Sequence, residues 1–205
     1  MTAMNSRFLQ THTLESLLQP ETTLEEKLLA APAFRKGLLW GEPRFGHPEG
    51  IVAFHVKEVL ENIALIPRLS AADRSNLRLI ALAHDAFKYA EDRTRPRDWS
   101  KHHGILARRF MEVYTNEPLI LDVIELHDHA YYAWLYQHRT PSPCPLMPLL
   151  DRIQYCAQLY YLFFKCDTQT GDKTQAPLRW FEREVSAIDI ITIKPFWPWE
   201  KTPLM

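Results

Sequence analysis

The sequence predicts an all-α protein built as a single helical bundle, and three observations carry that expectation. Apolar residues recur at spacings of three and four through most of the chain. The segments that carry them are bounded by capping residues, prolines and Gly/Pro clusters. The one stretch with strand character, VSAIDIITI at 185–193, has no evident partner.

The elements follow in order. Thr22 and Thr23 each have a Glu three residues on, a capping-box pattern that opens a helix through Leu38. The loop GEPRFGHPEG ends it. A helix from about Ile51 to Ile66 carries Val52, His55, Val56, Val59 and Ile63 on one stripe, and Pro67 stops it. Ser70 caps a helix through Tyr89, with Leu77, Ile80, Ala81, His84 and Phe87 facing inward. The charged loop EDRTRPRDWSK leads to a helix from about His103 to Tyr114. Asn116 and Pro118 open the next, with Ile120, Val123, Ile124, His127 and Tyr131 in phase. After TPSPCPLMP, an apolar helix runs from Leu149 to about Cys166, where DTQTGDKTQAP breaks it. KPFWPWEKTP is expected to pack as an irregular tail on the surface.

Composition excludes several classes. The 205 residues suit one domain with a substantial core. A formal net charge of -1 and the lack of a basic stripe argue against long nucleic acid and membrane surfaces as partners. Cys144, Cys156 and Cys166 form no CxxC pair, so a disulfide framework or structural zinc site is not expected. MTAMNSRFLQ lacks a signal-peptide core, and the most apolar run, LYYLFF, is too short to span a bilayer. The expected location is cytoplasmic. The six tryptophans are compatible with a homo-oligomer as well as with a core.

The chemistry-bearing residues sit on the stripes. His55, His84 and His127 each occupy an apolar position of a different helix, and Asp85 is adjacent to one of them. Singly, a stripe histidine reads as a neutral core residue bonded to a backbone carbonyl. Burying three imidazoles and a carboxylate together is costly unless something pairs with them all. A divalent metal does so, taking neutral imidazole nitrogens and carboxylate oxygens as ligands. Adjacent helical residues lie about a quarter-turn apart, so His84 and Asp85 can reach one ion while Asp85 keeps an oxygen for a second ion or a water.

The order His, His-Asp, late Asp, all on helices, resembles the HD-domain superfamily of metal-dependent phosphohydrolases over residues 47 to about 172. HPEGIVAFH is similar to the first-histidine segment of several HD families, including the HD module of bacterial CCA-adding enzymes, and assigns the first ligand to His55. LIALAHDAFKYA is similar to the LLHDIGK core signature and assigns His84 and Asp85, with Lys88 at the lysine position. The resemblance divides the chain into an N-terminal helical extension, 1–46, an HD-like core, 47–172, and a C-terminal extension, 173–205. It takes Asp167 as the last ligand, behind Leu159, Leu162, Phe163 and Cys166 in helical phase. Asp151, in LLDRIQ, resembles another HD ending and is held in reserve, since an acid in a first helical turn is also favoured by the dipole. About twenty ångströms of helix separate the two, so only one can serve.

Some HD families add two histidines and hold two ions. His127 matches one of those positions, while His129 falls off the stripe. Family spacing selects His102 for the other, whereas helical phase with Ala107, Phe110 and Tyr114 selects His103; His102 is taken and His103 kept in reserve. The resemblance implies one or two divalent ions (Mn, Fe, Co, Ni or Zn, with Mg also compatible) and a small phosphorylated substrate such as a nucleotide. Asp85 would orient or deprotonate water, Lys88 would neutralise phosphate charge, and Arg93, Arg95 and Arg97 would grip the phosphate. An exposed loop whose arginines pair with Glu91, Asp92 and Asp98 is the alternative for that segment. Trp99 could stack on a base, His47 and Glu49 could line the site, and TGDK (170–173) could touch substrate. Two other functions stay open: a mixed-valent diiron oxygenase related to myo-inositol oxygenase, and a non-catalytic metal- or nucleotide-binding module.

Overall fold

A computed structural model describes residues 13–139, 145–188 and 192–194. They form a helical bundle: α1 Leu14–Leu18, α2 Thr23–Ala30, α3 Pro32–Leu38, α4 Val52–Ala64, α5 Ala71–Ala83, α6 His103–Met111, α7 Pro118–Leu126, α8 His129–Arg139, α9 Leu146–Ile153, α10 Ala157–Thr168 and α11 Ala176–Ser186. Short 3-10 turns lie at Lys88–Ala90, Trp99–Lys101 and Gln154–Cys156. Among the described residues there is no β-strand, only an isolated bridge between Arg44 and His47, and no helix is long and apolar enough to cross a membrane. The all-α expectation holds. Cys144 and most of the C-terminal tail lie outside the described residues.

Several expected helices are broken, and the breaks have physical causes. The segment 22–38 is two helices because Pro32 starts α3 at its first position and forces Ala31 into an extended conformation. The stretch expected as one helix from 149 to 166 begins earlier, at Leu146, and is interrupted by the 3-10 turn at Gln154–Cys156. The helix expected through Tyr89 stops at Ala83, and tight turns follow in which the Ala86 and Lys88 amides donate to the Ala83 and Asp85 carbonyls. The helix expected through Tyr131 likewise stops at Leu126, with His127 as its C-cap. There the buried Tyr160 hydroxyl donates to the Leu126 carbonyl at 3.0 Å and accepts from the Ala130 amide at 3.1 Å, satisfying backbone groups the break would otherwise orphan. The expected break at 167–177 is present, with α10 ending at Thr168, but its last two residues, Ala176 and Pro177, already begin α11; Val185 and Ser186, expected at the start of a strand, are the end of that helix. The rest of that stretch through Ile191 is not described apart from Ala187 and Ile188.

Three contacts hold the elements that carry the site. On α4, the Asn62 side chain donates to the Cys166 carbonyl of α10 at 2.8 Å, fixing the strip of α4 that bears His55 against the end of α10 that bears Asp167. On α3, a Cβ placed at Gly37 would lie 1.5 Å from the Ala86 carbonyl oxygen, so the helix approaches the turn beside Asp85 as only glycine permits. On α5, Arg78 forks onto the buried Glu25 of α2 at 3.0 and 2.8 Å and donates to the Gln19 carbonyl at 2.9 Å. The N-terminal helices are thus packed onto the core.

Candidate metal centre

The breaks after α5 and α7 build two matching half-sites. His84 caps α5, and its Nδ1 lies 2.9 Å from the Ala81 carbonyl oxygen. His127 caps α7, and its Nδ1 lies 2.8 Å from the Ile124 carbonyl oxygen. A carbonyl can only accept, so each Nδ1 carries a hydrogen and each Nε2 faces the interior. Phe163 of α10 packs edge-on against the His84 ring, with centroids 5.1 Å apart.

Four imidazole Nε2 atoms converge in two pairs. His55 and His84 face one another at 3.2 Å, and His103 and His127 do the same at 3.2 Å. Between the pairs stands Asp85. Its Oδ2 is 3.4 Å from His84 Nε2 and 3.7 Å from His55 Nε2, while its Oδ1 is 3.3 Å from His103 Nε2 and 3.5 Å from His127 Nε2. Asp167 Oδ1 completes the first group, 2.9 Å from His55 Nε2 and 3.8 Å from His84 Nε2. Asp128 Oδ2 completes the second, 3.4 Å from His103 and 3.7 Å from His127.

These donors could hold a metal ion. Buried nitrogens and oxygens of the right types lie within one ligand shell, as His55–His84–Asp85 and as Asp85–His103–His127. Asp85 Oδ1 is buried without a hydrogen-bond partner, which would be expensive if nothing else satisfied it. Two outer nitrogens are backed as ligand histidines usually are, by a carbonyl: Ala81 for His84 and Ile124 for His127. The other two each have a carboxylate nearby but no hydrogen bond: Glu49 Oε1 lies 3.5 Å from His55 Nδ1, and Glu91 Oε2 lies 3.5 Å from His103 Nδ1. Those two carboxylates form further groups, His47–Glu49–His55 and Glu91–His102–His103.

The predicted residues divide as follows. His55, His84, Asp85, His127 and Asp167 come together. His102, preferred from family spacing, lies beside the second group without reaching Asp85: it is the N-cap of α6, its Nδ1 accepts from the Gly104 amide at 3.1 Å, and its Nε2 lies 3.3 Å from the Tyr132 hydroxyl and 3.6 Å from Asp128 Oδ2. An accepting Nδ1 on a neutral ring leaves the hydrogen on Nε2, the reverse of what inward ligation needs. His103, one residue on and inside the helix, is the histidine that reaches Asp85. Asp151 is exposed on α9 and takes no part in these groups. His129 starts α8 outside them. Glu49, expected to line the site, lies beside His55; Glu91 was expected only as a partner of the loop arginines, and Asp128 was not anticipated. The signal for Asp128 was present, because His127-Asp128 repeats the His84-Asp85 dipeptide.

Electrostatics reflect the crowding. Burial works to raise the Asp85 carboxyl, but His84, Lys88, His103 and His127 outweigh it and hold it well below the usual carboxylate range. Asp167 is likewise held down against its burial by Lys173 and His55, and Asp128 by His127 and His103. Burial lowers His55 to about 4, and lowers His102 to about 3. His127 goes the other way, to about 9, because Asp128 and Asp85 overcome its burial. Lys88, 2.5 Å from Asp85 Oδ2, stays charged: its burial is outweighed by Asp85 and Asp128.

The cluster opens into a cavity of about 620 Å³ whose lining includes Lys88, Arg93, Arg95, Arg97 and Lys173. That size suits a small molecule. Arg97 stacks over the Trp99 ring at 4.4 Å and pairs with Glu91, and Arg93 bonds Glu91 at 3.1 Å. Lys101 pairs with Asp92 and Asp98. Of the arginine pairings expected for this loop, the one with Glu91 forms, while Asp92 and Asp98 take Lys101 instead; the arginines also line the cavity. From TGDK, Lys173 bonds Asp167 Oδ1 at 2.9 Å and lines the same cavity.

No protein-family model, curated protein or solved structure matches this chain.

Proposed function

We propose that the chain is a metal-dependent phosphohydrolase of the HD superfamily, holding two divalent ions that share Asp85 and acting on a small phosphoester or phosphoanhydride. The observation that carries this reading is the meeting of two features. A buried His/Asp cluster with one carboxylate divided between two histidine pairs opens into a cavity lined by five cationic side chains. His55, His84, Asp85 and Asp167 would hold one ion; Asp85, His103, His127 and Asp128 the other. Bound there, such ions lower the pKa of water and polarise a phosphoryl oxygen.

The chain's own groups divide the remaining work. Lys88 offers an ammonium beside Asp85 to counter charge on the phosphoryl group. Arg95 and Arg97 bring guanidinium groups to the cavity, where paired hydrogen bonds to phosphate oxygens orient the substrate. Lys173 holds Asp167 and adds a further positive charge. Tyr131 and Tyr132 give the wall an aromatic surface for the rest of the substrate.

The test is phosphate release from a panel of nucleotides and simple phosphoesters by the protein loaded in turn with Mn, Co, Zn and Fe. The reading predicts turnover that disappears in Asp85→Ala and falls sharply in Lys88→Ala. No release from any member with any metal would count against it. The division of Asp85 between two histidine pairs also favours a second reading, a mixed-valent diiron oxygenase. Oxygen consumption by the iron-loaded protein, with a mixed-valent paramagnetic signal and no phosphate release, would select that chemistry.

A further inference from the structure

Glu91 stands between the arginines of the cavity and His103 of the cluster. It follows the 3-10 turn Lys88–Ala90, and its carboxylate is 3% exposed. On one side it accepts from Arg93 Nε at 3.1 Å and pairs with Arg97, both of which line the cavity. On the other side its Oε2 is 3.5 Å from His103 Nδ1, which is buried and has no hydrogen-bond partner. The carboxylate is shared out to the arginines, and the imidazole behind it is left just beyond bonding distance. The arginines can turn more freely than Glu91, since their side chains are 59% and 31% exposed.

We propose that Glu91 is a positioning residue that couples anion binding in the cavity to ion binding at His103, an inference that rests on the two-ion phosphohydrolase reading above. A phosphate in the cavity competes for Arg93 and Arg97. As they turn toward it, Glu91 is released to accept a full hydrogen bond from His103 Nδ1. That bond fixes the ring and makes its Nε2 a stronger donor to an ion, as backing carboxylates do for ligand histidines. The coupling is reciprocal: an ion at His103 draws Glu91 away from the arginines and frees them for the anion. The cavity would then favour an occupied second ion only when the anionic substrate is present.

The experiment is a Co²⁺ titration followed by visible absorption, with and without inorganic phosphate, on the wild type, Glu91→Gln and Arg97→Gln. In the wild type, phosphate should tighten the second Co²⁺ on the order of tenfold. In Glu91→Gln the second Co²⁺ should bind about 10–100-fold more weakly without phosphate, and most of the tightening should vanish while the first Co²⁺ is unaffected. Arg97→Gln should act in the opposite direction, binding the second Co²⁺ more tightly than wild type before any phosphate is added. Equal tightening in wild type and Glu91→Gln, or a second Co²⁺ no tighter in Arg97→Gln, would overturn the coupling while leaving the two-ion reading intact. Fewer than two Co²⁺ in the wild type would overturn that reading and the coupling with it.

Discussion

His84 and His127 are the same device used twice. Each caps the C-terminus of its helix, donates Nδ1–H to the carbonyl three residues back, and turns Nε2 toward Asp85; the two rings meet edge-on with centroids 5.1 Å apart. Each is followed by an aspartate whose carboxylate faces the same interior. In both places the histidine and the aspartate after it sit where the helix gives way to a turn, and both side chains reach the same cluster.

This arrangement separates the two adjacent histidines of α6. His103→Ala should lose one bound ion, whereas His102→Ala should keep both and cost about 1 kcal/mol of stability through loss of the N-cap. Elemental analysis of the purified variants, with chemical denaturation of each, checks both halves.

Asp167 and Asp151 should separate as cleanly. Asp167→Ala removes a carboxylate 2.9 Å from His55 and should abolish ion binding at the His55–His84 pair. Asp151→Ala changes an exposed residue, and its stability should stay within about 0.5 kcal/mol of wild type with metal content unaltered. Equilibrium dialysis of the two variants makes the comparison.

Metal uptake should depend on pH through His127. Its folded value of about 9 means the metal-free ring is protonated at neutral pH, and an ion must displace that proton. Affinity at this position should therefore rise about tenfold per pH unit toward 9 and level off above it. Calorimetric titration in buffers of different ionisation heat should report the released proton. In the metal-free protein the same group adds stability below its unfolded value of 6.5 that is lost as pH rises through 9. His55, lowered to about 4, costs stability as pH falls from 6.5 to 4, because the unfolded chain binds the proton first. These two groups together place a maximum in the metal-free thermal midpoint near pH 6.5.

Gly37→Ala should disturb the centre from outside it. The added Cβ would meet the Ala86 carbonyl at 1.5 Å, and α3 or the Asp85 turn must shift. A loss of about 1–3 kcal/mol or more is expected, with weaker metal binding. Denaturation and Co²⁺ titration of the variant give both readouts.

Much of this centre was legible because helical phase reports burial. His55, His84, His127 and Asp167 each lie where the stripe of their own helix predicts an inward side chain, and they meet because the stripes share one core. His103 was legible on the same ground, as the residue in phase with Ala107; a family spacing favoured its neighbour, which serves as a cap. The helix breaks at Ala83 and Leu126 were not legible, since no Gly or Pro marks them. They rest on partners distant in sequence, such as the Tyr160 hydroxyl at the second break. Glu91 was hidden for a different reason. In sequence it belongs to a run of charges that reads as a solvated loop, and only the fold of residues 88–103 buries it among two arginines and two histidines.

The central claim, two ions sharing Asp85, is tested most directly by the number of ions per chain after reconstitution and dialysis, measured on the wild type, His103→Ala and Asp85→Ala, with circular dichroism to verify folding. The account predicts two, one and none. A wild type that retains no ion, or a folded Asp85→Ala protein that retains two, would contradict it.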